Sequence, residues 1–275
     1  MSTIYYNFYK SSSLFHGSLL GIMGTRFDMI LVVGSLAKGI KVWEKLVAEM
    51  ERLDQMLNKF SCDSEISQIN LQAARTPVKV SQEMWLMLSK CKKYHQMTMG
   101  LFDITLKDYH LVSLDEKNRS ISFSDTQISI DFGGFAKGYA IEKLKKILQD
   151  AGLTQFFINF GNSSVCGSGH HPHGDCWSVG VDNPFQTGQI LGAVSLKDSC
   201  LSVSGNTPVH KNHIVHPLTG SFIDNKKIVC VTTSDAAVAE VLSTTLLLAN
   251  EYEKPIIEKR FKEEEVDYIL NEYDV

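Results

Sequence analysis

Positive charge is scarce in this chain. Twenty-seven Lys and Arg stand against 31 Asp and Glu, a net charge of −4. That balance speaks against a nucleic-acid groove or a polybasic membrane face. The local cluster Lys90, Lys92 and Lys93 falls on a helical pattern and reads as a solvated face. No apolar run approaches the roughly 20 residues of a membrane helix. The run from Leu14 to Met23 is broken by His16 and by glycines, with no clear small-residue cleavage site after it. It makes a poor signal peptide. No lipobox cysteine is present, so the chain reads as cytoplasmic. The six cysteines, Cys62, Cys91, Cys166, Cys176, Cys200 and Cys230, form no Cys-x-x-Cys pair. A chain of this length needs no disulfides, and reduced thiols are the better reading. Walker loops, Gly-x-Ser-x-Gly elbows, HExxH motifs, linkers and repeats are all missing.

What remains is an ordinary globular composition, 44% hydrophobic and 21% charged over 275 residues. Phe27 to Val33 reads as a strand. Gly34-Ser35 opens a helix whose apolar positions Leu36, Ile40, Trp43, Val47, Met50, Leu53, Leu57 and Phe60 step by three or four, as one buried face does. Ser61 to Asn70 is polar and turn-rich. Ser81 starts a second helix, which ends at Gly100. Ile121–Phe123 and Gln127–Asp131 read as strands flanking a Ser-Asp turn, and Lys137 to Leu148 as a helix. Further strands are expected at 156–160, 177–181, 190–196, 201–204, 227–233 and 266–270. Ser234 is expected to cap a last helix, 235–249. Helices and strands do not alternate strictly, which favours α+β with mostly antiparallel sheets over a doubly wound fold.

Several segments could carry chemistry. In Asp131-Phe132-Gly133-Gly134-Phe135-Ala136-Lys137-Gly138 a strand-like run meets a glycine turn and then a helix start. Glycines admit a ligand to the backbone, a helix start offers N–H groups to an anion, and Lys137 adds charge. In the last helix Glu240, Ser243 and Thr244 share a face. They either face solvent or offer hard oxygens to a cation such as Mg²⁺. His210, His213 and His216 suggest zinc, but in an extended segment His213 points away from the other two. His170, His171 and His173 with Cys166 and Cys176 lie in an expected loop and lack metal-ligand spacing. Asp103 and Thr105 either satisfy backbone N–H groups at a turn or face a ligand.

Taken in order, Met23-Gly24-Thr25, Ser64 to Ser67 with Asn70, Phe102 to Thr105, Asp131 to Ala140, Asn159 to Ser164, Ser204-Gly205, His213 to Gly220 and Ala239 to Thr245 resemble the FAD:protein FMN transferase (ApbE-type) family. The resemblance implies an α+β, T-fold-like architecture with mostly antiparallel sheets and packed helices. Residues 1–22 would be an N-terminal extension and 23–275 a single catalytic domain. It implies an enzyme that takes FAD and Mg²⁺, moves FMN onto a Ser or Thr of a partner flavoprotein and releases AMP. Some relatives instead hydrolyse FAD to FMN and AMP, and a flavin-binding protein without turnover is a third reading.

By the same resemblance Ala136, Glu240, Ser243 and Thr244 would hold the metal. Met23, Leu101, Phe102, Asp103, Gly133, Lys137, Tyr139, Asn159, Ser204 and Gly205 would bind FAD. Lys137 would hold phosphate, and His213 would accept the incoming hydroxyl's proton. The acceptor would carry Asp-x-x-Ser/Thr-x-Ala-Thr, which neither Asp198 to Ser202 nor the run from Asp235 supplies, so it is another protein. This chain departs from the family pattern in having Glu240 where Asp is usual, His216 for Asp, Leu218 for Arg, and Asn162-Ser163 for a glycine and a polar residue.

Overall fold

The computed structural model describes residues 3–208 and 214–275. Strand β1 (Thr3–Tyr9) pairs with β2 (Leu14–Ile22), and β2 with β3 (Thr25–Val32). The β2–β3 turn is Met23-Gly24, with φ of 45° and 74°. Two successive left-handed residues are what a two-residue hairpin needs. Residues 3–22, expected as an extension, therefore carry two strands of the main sheet.

Ser35 caps α1 (Leu36–Leu57), its hydroxyl accepting from the Lys38 N–H. Trp43, Val47, Met50 and Leu53 are buried as their spacing predicts, but Leu36 and Phe60 are exposed. The apolar run outlasts the surface it packs on, and Phe60 lies beyond the helix. The polar stretch that follows is a helix, α2 (Glu65–Gln72), rather than a loop. Ser64 caps it by accepting from the Ser67 N–H, and Ile66 and Ile69 are buried. Serines that look like turn formers act here as a cap.

A small sheet has the order β4 (Val78–Lys79), β6 (Ser120–Phe123), β5 (Val112–Asp115), with α3 (Gln82–Met97) between its first two segments in the chain. Ser81 caps α3 as expected. Gln127–Asp131 forms no strand. Instead the Asn70 side chain takes the place of a neighbouring strand: Ile130 N–H donates to its Oδ1 (2.7 Å) and its Nδ2 donates to the Ile130 carbonyl (3.0 Å). Asn70→Ala leaves both backbone groups unpaired beside the buried Ile130. The expected cost is about 2 kcal/mol in urea unfolding, and a change under about 0.5 kcal/mol would show that water replaces the amide.

The chain continues through α4 (Ala136–Asp150), β7 (Phe156–Phe160), β8 (Ser164–Ser168), β9 (Trp177–Asp182), β10 (Ile190–Leu196), β11 (Ser199–Gly205) and β12 (Lys227–Thr233). It ends with α5 (Ala236–Leu248), α6 (Glu253–Glu263) and β13 (Tyr268–Asp274). Asp235, not Ser234, caps α5, accepting from the Ala237 and Val238 N–H groups. The α6 helix escapes periodicity because only Ile257 and Phe261 are buried in an otherwise charged segment. The closing strand starts two residues later than expected and runs to Asp274.

The main sheet has the order β1-β2-β3-β7-β8-β11-β12-β13, and each of its ladders is antiparallel. One face carries the helices and the main core. The other carries the β9–β10 hairpin over a smaller cluster that includes Val165, Trp177, Leu196 and Leu201. In β12 Val229 and Val231 enter the first core while Ile228 and Cys230 enter the second. A strand covered on both faces reads as an unbroken apolar run.

Candidate functional site

The site is built where α4 and α5 meet at their closest. A Cβ on Gly138 would lie 2.4 Å from the Ala236 carbonyl oxygen. The contact brings Glu240, one turn along α5, to the first turn of α4. No side chain at the start of α4 caps that helix. Glu240 does so from α5: the Gly138 N–H donates to its Oε2 (2.9 Å). Its Oε1 accepts from Lys137 Nζ at 2.7 Å and from the Ser164 hydroxyl. Glu240 is 3% exposed, and this buried carboxylate is paired with a cation and hydrogen-bonded at both oxygens, as a buried charge must be. Ser164, at the head of β8, belongs to this cluster although the sequence reading assigned it no role.

Beside it is a group of hydroxyls. Ser243 Oγ lies 2.9 Å from Ser202 Oγ and 2.8 Å from Ser204 Oγ, and Ser204 Oγ lies 3.1 Å from Thr244 Oγ1. Ser202 and Ser204 share one face of β11 and so both meet α5.

Of these groups Lys137, Ser202, Ser204, Glu240 and Thr244 line a cavity of about 890 Å³. That lies in the upper part of the range for cofactor-sized ligands, about 300–1,000 Å³. Leu101, Phe102, Asp103, Gly133, Lys137, Asn159, Ser204, Gly205, Glu240 and Thr244 all line it. Ala136, Met23, Tyr139 and Ser243 are not among its lining residues. Met23 is occupied in its hairpin turn, where its N–H donates to Asp54 (3.0 Å). His213 lies outside the described residues, as does His210.

The cavity also has features the sequence reading did not single out. Phe157, Val165, Val179, Val181 and Leu201 form an apolar wall on the hairpin side of the main sheet, the face opposite the one on which Ser202 and Ser204 meet α5. A wall assembled from four separate strands leaves no contiguous motif. Asp131 and Asp182 also face the cavity. Asp131 accepts from Lys59 and from the Gly133 N–H, which shapes the glycine turn. Asp103 holds its own loop together, accepting from the Thr105 N–H and hydroxyl (2.7 Å each) and from the Tyr109 N–H (3.1 Å). Asn159 similarly braces the β7–β8 turn through Asn162.

Tyr139 points its hydroxyl to Glu83 (2.7 Å), which also binds Arg52 and Lys143 at 2.7 Å each. Burial alone would raise the Glu83 carboxyl, but hydrogen bonds from Arg52, Lys143 and Tyr139 outweigh it and hold it at about 2, against an ordinary 4.5. The folded pKa is depressed, so this stabilisation is complete above about 4.5 and is lost as pH falls toward about 2. Glu83→Gln should therefore flatten the decline of the melting temperature across that window. An unchanged slope would remove Glu83 from the acid response.

Among the described residues the histidines bring no metal cluster together. His170 pairs with Gln155 and His171 stacks edge-on against Trp177. Among the described residues no three His, Cys, Asp or Glu side chains converge on a metal position. Pro217 to Gly220 is a turn, closed by the Gly220 N–H on the His216 carbonyl. His216 Nδ1 is buried without a hydrogen-bond partner among the described residues.

Fold and cavity define an antiparallel α+β protein with a cavity of about 890 Å³ whose lining includes a lysine–carboxylate pair. The sequence profile of the ApbE family matches residues 23–110 and 106–269. The chain belongs to that family.

Among its relatives, the FAD:protein FMN transferase of Chlamydia muridarum (strain MoPn / Nigg) is 26% identical over 235 residues, covering 71% of this chain and 72% of the relative. That of Klebsiella pneumoniae (strain 342) is 23% identical over 258 residues, covering 80% and 79%. The structure of the flavin transferase ApbE from Vibrio cholerae superposes with a TM-score of 0.79 at 16% identity, covering 99% of this chain and 97% of that one. The ApbE protein of Thermotoga maritima gives 0.77 at 19% identity, covering 98% and 94%. These two likenesses confirm the α+β fold. No described helix is long and apolar enough to cross a membrane.

Proposed function

We propose that this chain is an FAD:protein FMN transferase. The observation that carries the reading is the cavity: its volume suits a ligand of FAD's size, Lys137 on its lining offers a cation to the pyrophosphate, and Leu101 and Phe102 add apolar surface. Relatives that bear this name align over most of the chain. In the reaction a Ser or Thr hydroxyl oxygen of the acceptor forms a bond to the FMN phosphorus. The bond from that phosphorus to the bridging oxygen breaks, and AMP leaves with it. The acceptor's proton passes to a base, the role the resemblance gives to His213.

Phosphoryl transfer depends on charge neutralisation and in-line placement. Lys137 supplies a cationic side chain to the cavity's lining. Asp131, tied to Lys59 and the Gly133 N–H, keeps the glycine turn in shape. Leu101 and Phe102 exclude water from the flavin's surroundings.

The family resemblance brings Mg²⁺ with it. The donor chemistry fits a hard divalent cation: Glu240 and Thr244 present oxygen atoms to an acid-lined cavity. These two residues would hold it, and it would neutralise pyrophosphate charge. Ala136 and Ser243, which the resemblance also assigns to the metal, do not line the cavity. The acceptor is a flavoprotein, and the motif Asp-x-x-Ser/Thr-x-Ala-Thr is the segment to offer it.

The test is incubation with FAD, Mg²⁺ and a protein carrying that motif, followed by assay of AMP and of protein-bound flavin. Both products are expected, in equal amounts. AMP with free FMN instead makes the chain an FAD pyrophosphatase. Bound FAD with neither product makes it a flavin-binding protein.

A further inference from the structure

The Glu240 carboxylate, the one acidic group proposed for the metal, already has a cation. Lys137 Nζ sits 2.7 Å from Oε1, the Ser164 hydroxyl shares that oxygen, and the Gly138 N–H donates to Oε2. A divalent cation meeting the protein alone finds little to bind. Among the described residues no cage of three His, Cys, Asp or Glu side chains exists. Thr244 adds only a neutral hydroxyl, itself 3.1 Å from Ser204 Oγ. Mg²⁺ is typically held by one or two carboxylates together with substrate phosphates.

Pyrophosphate has the converse difficulty. The charged side chains lining the cavity among the described residues are Asp103, Asp131, Asp182 and Glu240 against the single Lys137. Lys137 is engaged with Glu240, and Lys59, beyond the lining, is engaged with Asp131. A dianion entering alone meets carboxylates whose cations are committed. Each ligand therefore lacks what the other supplies.

From this we infer that Lys137 is an exchangeable placeholder cation on Glu240. It moves from the carboxylate to the pyrophosphate when FAD binds, so that Glu240 accepts a divalent cation only together with FAD. The inference rests on the transferase reading for its ligand and on the Lys137–Glu240 pair for its logic. The movement is short, because Lys137 and Glu240 both line the cavity and the Lys137 side chain is 22% exposed. Its consequence is thermodynamic: FAD and the metal must each raise the affinity of the other by the same factor.

The experiment is a Mn²⁺ titration of the whole protein, read by water-proton relaxation or calorimetry, with and without saturating FAD and with no acceptor present. FAD affinity is read separately from quenching of flavin fluorescence, with and without Mn²⁺. About tenfold or greater mutual enhancement is expected. Mn²⁺ affinity unchanged by FAD would overturn the inference. So would tight Mn²⁺ binding to the free protein that Glu240→Gln abolishes.

Lys137→Met separates this from a merely structural pair. With the placeholder gone, the free protein should gain Mn²⁺ affinity and lose most of the FAD-dependent enhancement. A folded Lys137→Met protein with the parent's coupling would refute the exchange. The unmodified protein's titrations decide the matter even if that variant fails to fold. If FAD does not bind at all, the transferase reading fails first, while the gain of Mn²⁺ binding in Lys137→Met still tests the pair.

Discussion

Gly138→Ala is expected to lower the stability of the protein by about 2 kcal/mol, although helix propensity alone predicts the opposite sign. Replacing a helical glycine by alanine is worth up to about 1 kcal/mol of stabilisation, the value for a helix interior, and Gly138 lies in the first turn. Against that, the new Cβ would meet the Ala236 carbonyl oxygen at 2.4 Å and both the Ala236 carbon and Ala237 Cα at 2.7 Å. All three are backbone atoms, so no side chain can rotate aside. The helices must part, and overpacking of this kind costs about 3 kcal/mol at the upper end of its usual range. Parting them also stretches the 2.9 Å bond from the Gly138 N–H to Glu240. Urea unfolding decides it: the midpoint should fall with an unchanged slope. A midpoint at or above the parent's would mean that the α4–α5 contact is loose.

Glu240→Ala is expected to cost more, about 3–5 kcal/mol, because removing one partner of a buried pair strands the other. Lys137, the Gly138 N–H and the Ser164 hydroxyl all lose their acceptor. Glu240→Gln keeps the side chain's shape and can still accept from Gly138 and Ser164, so a smaller loss is expected. If Glu240 served only as a metal ligand, both variants would unfold like the parent in chelator-treated buffer. Equal stability of all three there would refute the structural role argued for this carboxylate. A large loss for Glu240→Ala means that its lost activity cannot by itself be read as a lost metal ligand.

Sequence periodicity located most of the elements that build the cavity. The β7, β9, β10 and β12 runs, and the caps Ser35 and Ser81, are local signals and emerge within a residue or so of where they are expected. The ordered motifs also brought the right glycine turn to the right helix start. The misses have local causes of their own. The α2 helix hides in a serine-rich segment because a cap and a turn use the same residues. The Gln127–Asp131 segment has the composition of a strand, but its pairing groups come from one asparagine side chain.

By itself the sequence determined the antiparallel α+β class and, through the resemblance of its ordered motifs, the family, and it placed a lysine at a helix start and a carboxylate with hydroxyls on a late helix. Fold class and the placement of those residues are properties of near neighbours in the chain, which periodicity and spacing record. Only the tertiary structure decided which of those groups meet. Lys137 and Glu240 are 103 residues apart, and no local pattern announces that they pair. Asp103 both lines the cavity and staples its loop, and the backbone N–H groups turn toward its carboxylate only once the loop has folded. The apolar wall is likewise a product of assembly. Its residues come from strands of two different sheets, and burial acts on the surface they form together rather than on any segment alone.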